Sequence, residues 1–146
     1  MTTRHALKPE PKTTMQFNYI KVERNDTVAT ITLNRPEKLN ALNIDIMQEL
    51  HDAAESFQHD TQTRVIVFTG EGRYFSSGAD LSDSKRATGA QATLLERQRR
   101  STLGQRLIKK LLDINQITIA AINGGALGGA ACIVSALDFR IGADNC

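Results

Sequence analysis

Between Ile117 and Ala136 the chain passes from an apolar strand pattern, through glycines, into an apolar helix pattern. Four of its ten glycines fall between Gly124 and Gly129. Ile117 to Ile122 is apolar at both alternating sets of positions, the pattern of a parallel strand covered on both faces. Asn123-Gly124-Gly125 turns the chain, and Gly128 to about Ala136 reads as a helix. Only folds that feed a buried strand directly into a helix accept this arrangement, which places the chain among α/β architectures.

The rest of the punctuation agrees. Phe17 to Val22 and Val28 to Leu33 read as strands separated by the turn pair Asn25-Asp26. In the second, Ala29, Ile31 and Leu33 alternate with Thr30 and Thr32, predicting one buried face. Arg35-Pro36-Glu37-Lys38 ends the ladder, because proline has no donor. Asn43 caps a helix running to about Phe57, with Met47, Leu50, Ala54 and Phe57 as its apolar stripe. Val65 to Phe68 is a short buried strand ending at Gly70. A polar loop follows to about Gly89, then a helix over Gln91 to Leu112 with Leu103, Leu107, Ile108 and Leu111 on one face. Phe139 to Gly142 is a last, buried-looking strand. Strands alternating with helices imply right-handed crossovers.

The 146 residues are enough for one domain. A 40% hydrophobic and 23% charged composition excludes disordered, collagen-like and coiled-coil chains. A net charge of +2 gives no reason to expect nucleic acid, and no apolar run approaches the roughly 20 residues of a membrane span. Two scattered cysteines, Cys132 and Cys146, make no disulfide framework and point to a reducing compartment. With three equally scattered histidines they offer no metal site. Residues 1–15, with Pro9 and Pro11 and little that is apolar, read as a flexible tail ahead of a domain over residues 16–146.

Two segments carry candidate chemistry: Tyr74 to Leu81, after a strand, and Asn123 to Ala130, where a strand becomes a helix. A helix starting near Gly128 aims free N–H groups and its positive end outward, which suits an anion or a developing oxyanion. The same glycines would equally permit close helix–strand packing. Their spacing does not match the dinucleotide fingerprint or the P-loop, which leaves a nucleotide-binding domain little support. No serine elbow is present and no histidine neighbours Ser76 or Ser77. Asp80 reads as an acceptor for nearby backbone N–H groups, Glu71 as a solvated loop residue. Arg97, Arg99, Arg100, Arg106, Lys109 and Lys110 read as a solvated helix face.

Three pieces in register resemble the amino-terminal half of the crotonase, or enoyl-CoA hydratase/isomerase, superfamily. They are ITLNRPEKLNALN (Ile31 to Asn43), VIVFTGEGRYFSSGADL (Val65 to Leu81) and IAAINGGALGGA (Ile119 to Ala130). The resemblance implies a ClpP/crotonase spiral of repeated ββα units, cut short. It implies an acyl-CoA thioester as ligand, no separate cofactor, and a place in lipid metabolism such as fatty acid β-oxidation. The enolate-like oxygen would be held by the backbone N–H groups of Ala79 and Gly129. Ser76, Ser77, Gly78, Ala79 and Asp80 would line the thioester and pantetheine, and the stretch from Lys38 to Ala41 would border the path of CoA. A homo-oligomer, trimer or hexamer, follows for the full domain, in the cytoplasm or in a mitochondrial or peroxisomal matrix.

One departure sets the expected chemistry. Where family hydratases carry their first catalytic glutamate this chain has Cys132, read as a small buried hydrophobe. The second glutamate would fall beyond Cys146. A hydratase needs a base and an acid. Isomerases that shift a double bond from the 3 to the 2 position need one carboxylate, and the Phe75-Ser76-Ser77-Gly78 loop and the small Ala130 and Ala131 are similar to that branch. An isomerase-type protein is therefore favoured over a hydratase. The rival is an inactive truncated isoform, or an acyl-CoA-binding or subunit-modifying chain without the glutamates. With a plain sheet edge as the alternative, a final strand with no helix after it points to an incomplete domain. Its exposed apolar surface and strand edge predict aggregation of the isolated chain; a sharp, reversible thermal transition of a monomer would contradict that.

Overall fold

The computed structural model describes residues 16–82, 93–144 and 146. The expected tail and the loop stretch 83–89 lie outside them. Strand β1 (Ile20–Asn25) pairs antiparallel with β2 (Val28–Leu33). Helix α1 (Ile44–Phe57) leads to β3 (Val65–Gly70), α2 (Leu94–Leu112) to β4 (Ile117–Ile122), and α3 (Gly129–Ala136) to β5 (Phe139–Gly142). The five strands form one sheet in chain order, and every pair after the first is parallel.

Each of β2, β3 and β4 is followed, before its helix, by a short extended segment that bridges to a neighbouring unit. Leu42 bridges Ala79, and Ser76 bridges Ala126. The repeating unit is thus a long strand, a short bridging strand and a helix, as the expected ββα spiral requires.

The core lies on one face of the sheet. Ala29, Ile31, Leu33, Ile66, Phe68 and Ala120 meet Ile46, Leu50 and Phe57 of α1, Leu107 and Leu111 of α2, and Ile133 of α3. Asn43 caps α1 as expected, its side chain accepting from Ile46 N at 2.8 Å. The expected stripes of α1 and α2 are buried, with Met47 and Ile108 at their margins.

Several expectations are corrected. The first strand starts at Ile20, not Phe17. The Glu49 carboxylate of α1 accepts from the backbone N–H groups of Asn18, Tyr19 and Ile20 at 2.8, 2.8 and 3.1 Å, so a side chain takes the donors a strand would use. The turn is Asp26-Thr27, because Asn25 still pairs with Val28. Strand β4 is buried on the Thr118 and Ala120 face only, with Ile117 half exposed on the other. Strand β5 is exposed at every residue, an edge rather than a buried strand. Helix α2 spans Leu94–Leu112, and the expected start at Gln91 lies outside the described residues. The basic face of α2 is not wholly solvated either: Lys110 pairs with Glu55 of α1 at 2.5 Å.

Replacing Glu49 by Ala strips three backbone donors of a charged acceptor. It should lower unfolding stability by about 1–3 kcal/mol, read as a shift of the urea midpoint.

Candidate functional site

Three loops leave the carboxyl ends of β2, β3 and β4 and lock together. The buried Asn40, in a left-handed conformation with φ 53°, joins the first two. Its Oδ1 accepts from Arg35 N at 2.9 Å, and its Nδ2 donates to Glu71 O and Tyr74 O, both at 2.9 Å. Ser76 joins all three. Its Oγ donates to Asn40 O at 2.7 Å, its N donates to Gly125 O at 3.1 Å, and its carbonyl accepts from Leu127 N at 3.0 Å.

The next residues are aimed by the same bridges. Leu42 N donates to Gly78 O at 2.7 Å, and Asp80 N donates to Leu42 O at 2.9 Å. The Gly78 carbonyl and the Ala79 N–H belong to one planar trans peptide and point opposite ways. With the carbonyl fixed on Leu42, the Ala79 N–H faces away from it. Gly78 stands at φ +88°, and a Cβ there would lie 2.6 Å from Leu127 O. Only glycine lets the second and third loops approach so closely. Neither Ala79 N–H nor Gly129 N–H has an acceptor among the described residues. Both residues are exposed. Gly129 opens α3, where N–H groups have no partner within the helix.

Beside Gly129 opens an apolar cleft of about 580 Å³ between α1, α2 and α3. Leu42, Met47, Leu107, Ile108, Gly129 and Cys132 line it. No carboxylate is among the described lining residues. Cys132 corrects an expectation: it is exposed on the cleft wall, not a buried hydrophobe. It follows Gly129 by three residues, so both lie on the same face of α3.

The other candidates divide. Ser77 is half-buried beside Ala79, its N donating to Leu39 O at 2.9 Å. Ser76 and Gly78 are buried, so Ser76 is scaffold where a lining side chain was expected. Lys38 is exposed at the end of a 3-10 turn, while Ala41 is buried beneath it. Asp80 does bond local donors, Ser82 N at 3.0 Å and Ser82 Oγ at 2.5 Å. It also holds Arg35 Nη1 at 2.7 Å, a partner the sequence reading did not single out. The Ser82 hydroxyl first, then the Arg35 guanidinium, outweigh burial and bring the Asp80 carboxyl down to about 2. Among the described residues no cluster of three or more His, Cys, Asp or Glu could hold a metal. No described helix is long and apolar enough to cross a membrane.

The model of a family described as enoyl-CoA hydratase/isomerase matches residues 23–146. The chain is 33% identical over 132 residues to a short-chain-enoyl-CoA hydratase of Clostridium acetobutylicum, covering 90% of this chain and 49% of that protein. It superposes on a crystal structure of a putative enoyl-CoA hydratase from Streptomyces coelicolor A3(2) with a TM-score of 0.81 at 29% identity, covering 97% of this chain and 50% of the other. A monofunctional enoyl-CoA isomerase from M. smegmatis gives 0.70 at 34% identity, covering 87% and 51%. The chain spans about half the length of the curated relatives it matches.

The depressed Asp80 value has a defined pH signature. Its contribution to stability is complete above the unfolded carboxylate value of about 3.9. It is lost as pH falls toward about 2, the folded value. The stability gap between the wild type and Asp80→Asn should therefore be constant from pH 7 to about 5 and close between about 4 and 2, measured by denaturant titration at each pH.

Proposed function

The chain belongs to the enoyl-CoA hydratase/isomerase family, and on that premise we propose that it binds an acyl-CoA thioester and stabilises an enolate-like thioester oxygen between two backbone donors. The observation that carries this reading is the pair of N–H groups, Ala79 and Gly129, left without acceptors on two interlocked loops beside an apolar cleft. The thioester oxygen accepts from both. The positive end of α3 adds to the field that negative charge meets there. The donors are fixed before the ligand arrives, so little reorganisation accompanies charge development. The acyl chain lies against Leu107, Ile108 and Met47. Lys38 and Ala41 border the CoA, which is part of the substrate.

The reaction proposed is the isomerase type, in which one base moves a proton between carbons of the acyl chain. Cys132 stands on the cleft wall where a hydratase would need a carboxylate to activate water. Asp80 is no substitute, because Arg35 and Ser82 occupy its carboxyl. The base comes from outside the described cleft lining. A second reading rests on the same lack of a lining carboxylate: the chain binds acyl-CoA without turning it over.

Gly129→Pro is the direct test. Proline is tolerated at the first position of a helix and removes only a donor that has no helical partner. The variant should fold like the wild type and bind a saturated acyl-CoA about fivefold more weakly, the scale of one ordinary hydrogen bond to a neutral carbonyl, by calorimetric titration. Equal affinity would remove Gly129 from the site. Turnover of a 3-enoyl-CoA, followed by absorbance, separates the isomerase from the non-catalytic binder.

A further inference from the structure

Arg35 is not among the residues lining the cleft, yet its side chain ties the segment before Leu42 to Asp80, the residue that follows the Ala79 donor. Its Nη1 donates to Ala41 O at 3.2 Å and to Asp80 Oδ2 at 2.7 Å. Its own backbone is fixed in turn: Arg35 N donates to Asn40 Oδ1 at 2.9 Å, and Arg35 O accepts from Asn40 N at 2.9 Å. The Arg35 and Asp80 side chains are 15% and 8% exposed, so the pair is shielded from competing water.

The consequence is directional. Leu42 fixes the Gly78 carbonyl through its N–H and the Asp80 N–H through its carbonyl, one on each side of Ala79. Arg35 ties the segment before Leu42 to the Asp80 carboxylate as well, so residue 80 is held by backbone and side chain together. Rotation of the Gly78–Ala79 peptide would have to break Leu42 N to Gly78 O while Arg35 still holds Asp80 on its far side. We propose that Arg35, acting through Asp80, is the positioning residue for the Ala79 N–H, setting the angle at which it meets a thioester oxygen. This rests on the acyl-CoA reading above. A lysine keeps the charge but lacks the planar, multi-donor head, so the two acceptors would not be held together in the same geometry.

The test uses the full chain with two probes: a saturated acyl-CoA carrying 13C at the thioester carbonyl, and the matching alkyl-CoA thioether, which has no carbonyl. In the wild type the bound carbonyl stretch should move to lower frequency than in free solution, and the thioester should bind more tightly than the thioether. No shift and no preference would overturn the acyl-CoA reading itself, and the positioning role with it. In Arg35→Lys and in Asp80→Asn the stretch should return toward its free value. The thioester-over-thioether preference should fall about fivefold, the scale of one ordinary hydrogen bond. A full shift and full preference in both variants would overturn the positioning role and leave the reading standing. A lower melting temperature with equal weakening of both probes would also overturn it, since that is what a purely structural ion pair gives. The two variants keep most of the side-chain volume, so the test does not depend on an Arg35→Ala chain that fails to fold.

Discussion

The buried carboxamide of Asn40 is the interaction on which the site depends. Loops at the end of a parallel sheet carry backbone donors and acceptors that no strand satisfies, and burying them unpaired would cost several kcal/mol. Asn40 answers three of these groups from one side chain, and its carbonyl takes the Ser76 hydroxyl as a fourth contact. Once these contacts are made, the loops after β2 and β3 cannot move separately. Ser76 extends the lock to the loop after β4. The exposed donors at Ala79 and Gly129 are therefore aimed by groups that never reach solvent.

That division of labour explains why buried and exposed residues alternate so sharply over five positions. Ser76 and Gly78 are inside, Ala79 is outside, and Asp80 turns its carboxyl back to Arg35. The scaffold supplies rigidity through charge-assisted and buried hydrogen bonds, which are stronger than exposed ones. The cleft beside it supplies only apolar surface. On the proposed reading most of the cleft wall serves affinity for the acyl chain and the locked loops serve orientation of its carbonyl, with Leu42 and Gly129 belonging to both.

Much of this was legible in the sequence. Strands β2, β4 and β5 and the Asn43 cap fall where alternation, apolar runs and capping chemistry place them. The glycine-rich turns mark both donor loops. What was not legible came from partners distant in the chain. Glu49 takes the donors of Asn18 to Ile20 from some thirty residues away and so delays β1. Cys132 reads as core on an apolar helix, but periodicity does not say which face a neighbour covers, and α2 stands off it across the cleft. The apolar second face of β4 promised cover that the described residues do not supply. Arg35 looked like a turn residue before proline; its partner lies forty-five residues on.

The sheet order has a further consequence. Strands sit side by side in the order in which they occur along the chain. A polypeptide leaving the ribosome amino-terminus first can lay each strand on an edge already formed, with no gap held open for a later arrival. The bridges follow the same order: Leu42 meets Ala79 of the next unit, and Ser76 then meets Ala126 of the one after. Vectorial synthesis thus builds the frame progressively, while the paired donors come into being only when the third unit closes on the second. Until that moment a nascent chain lacks the donor pair on which the proposed binding rests.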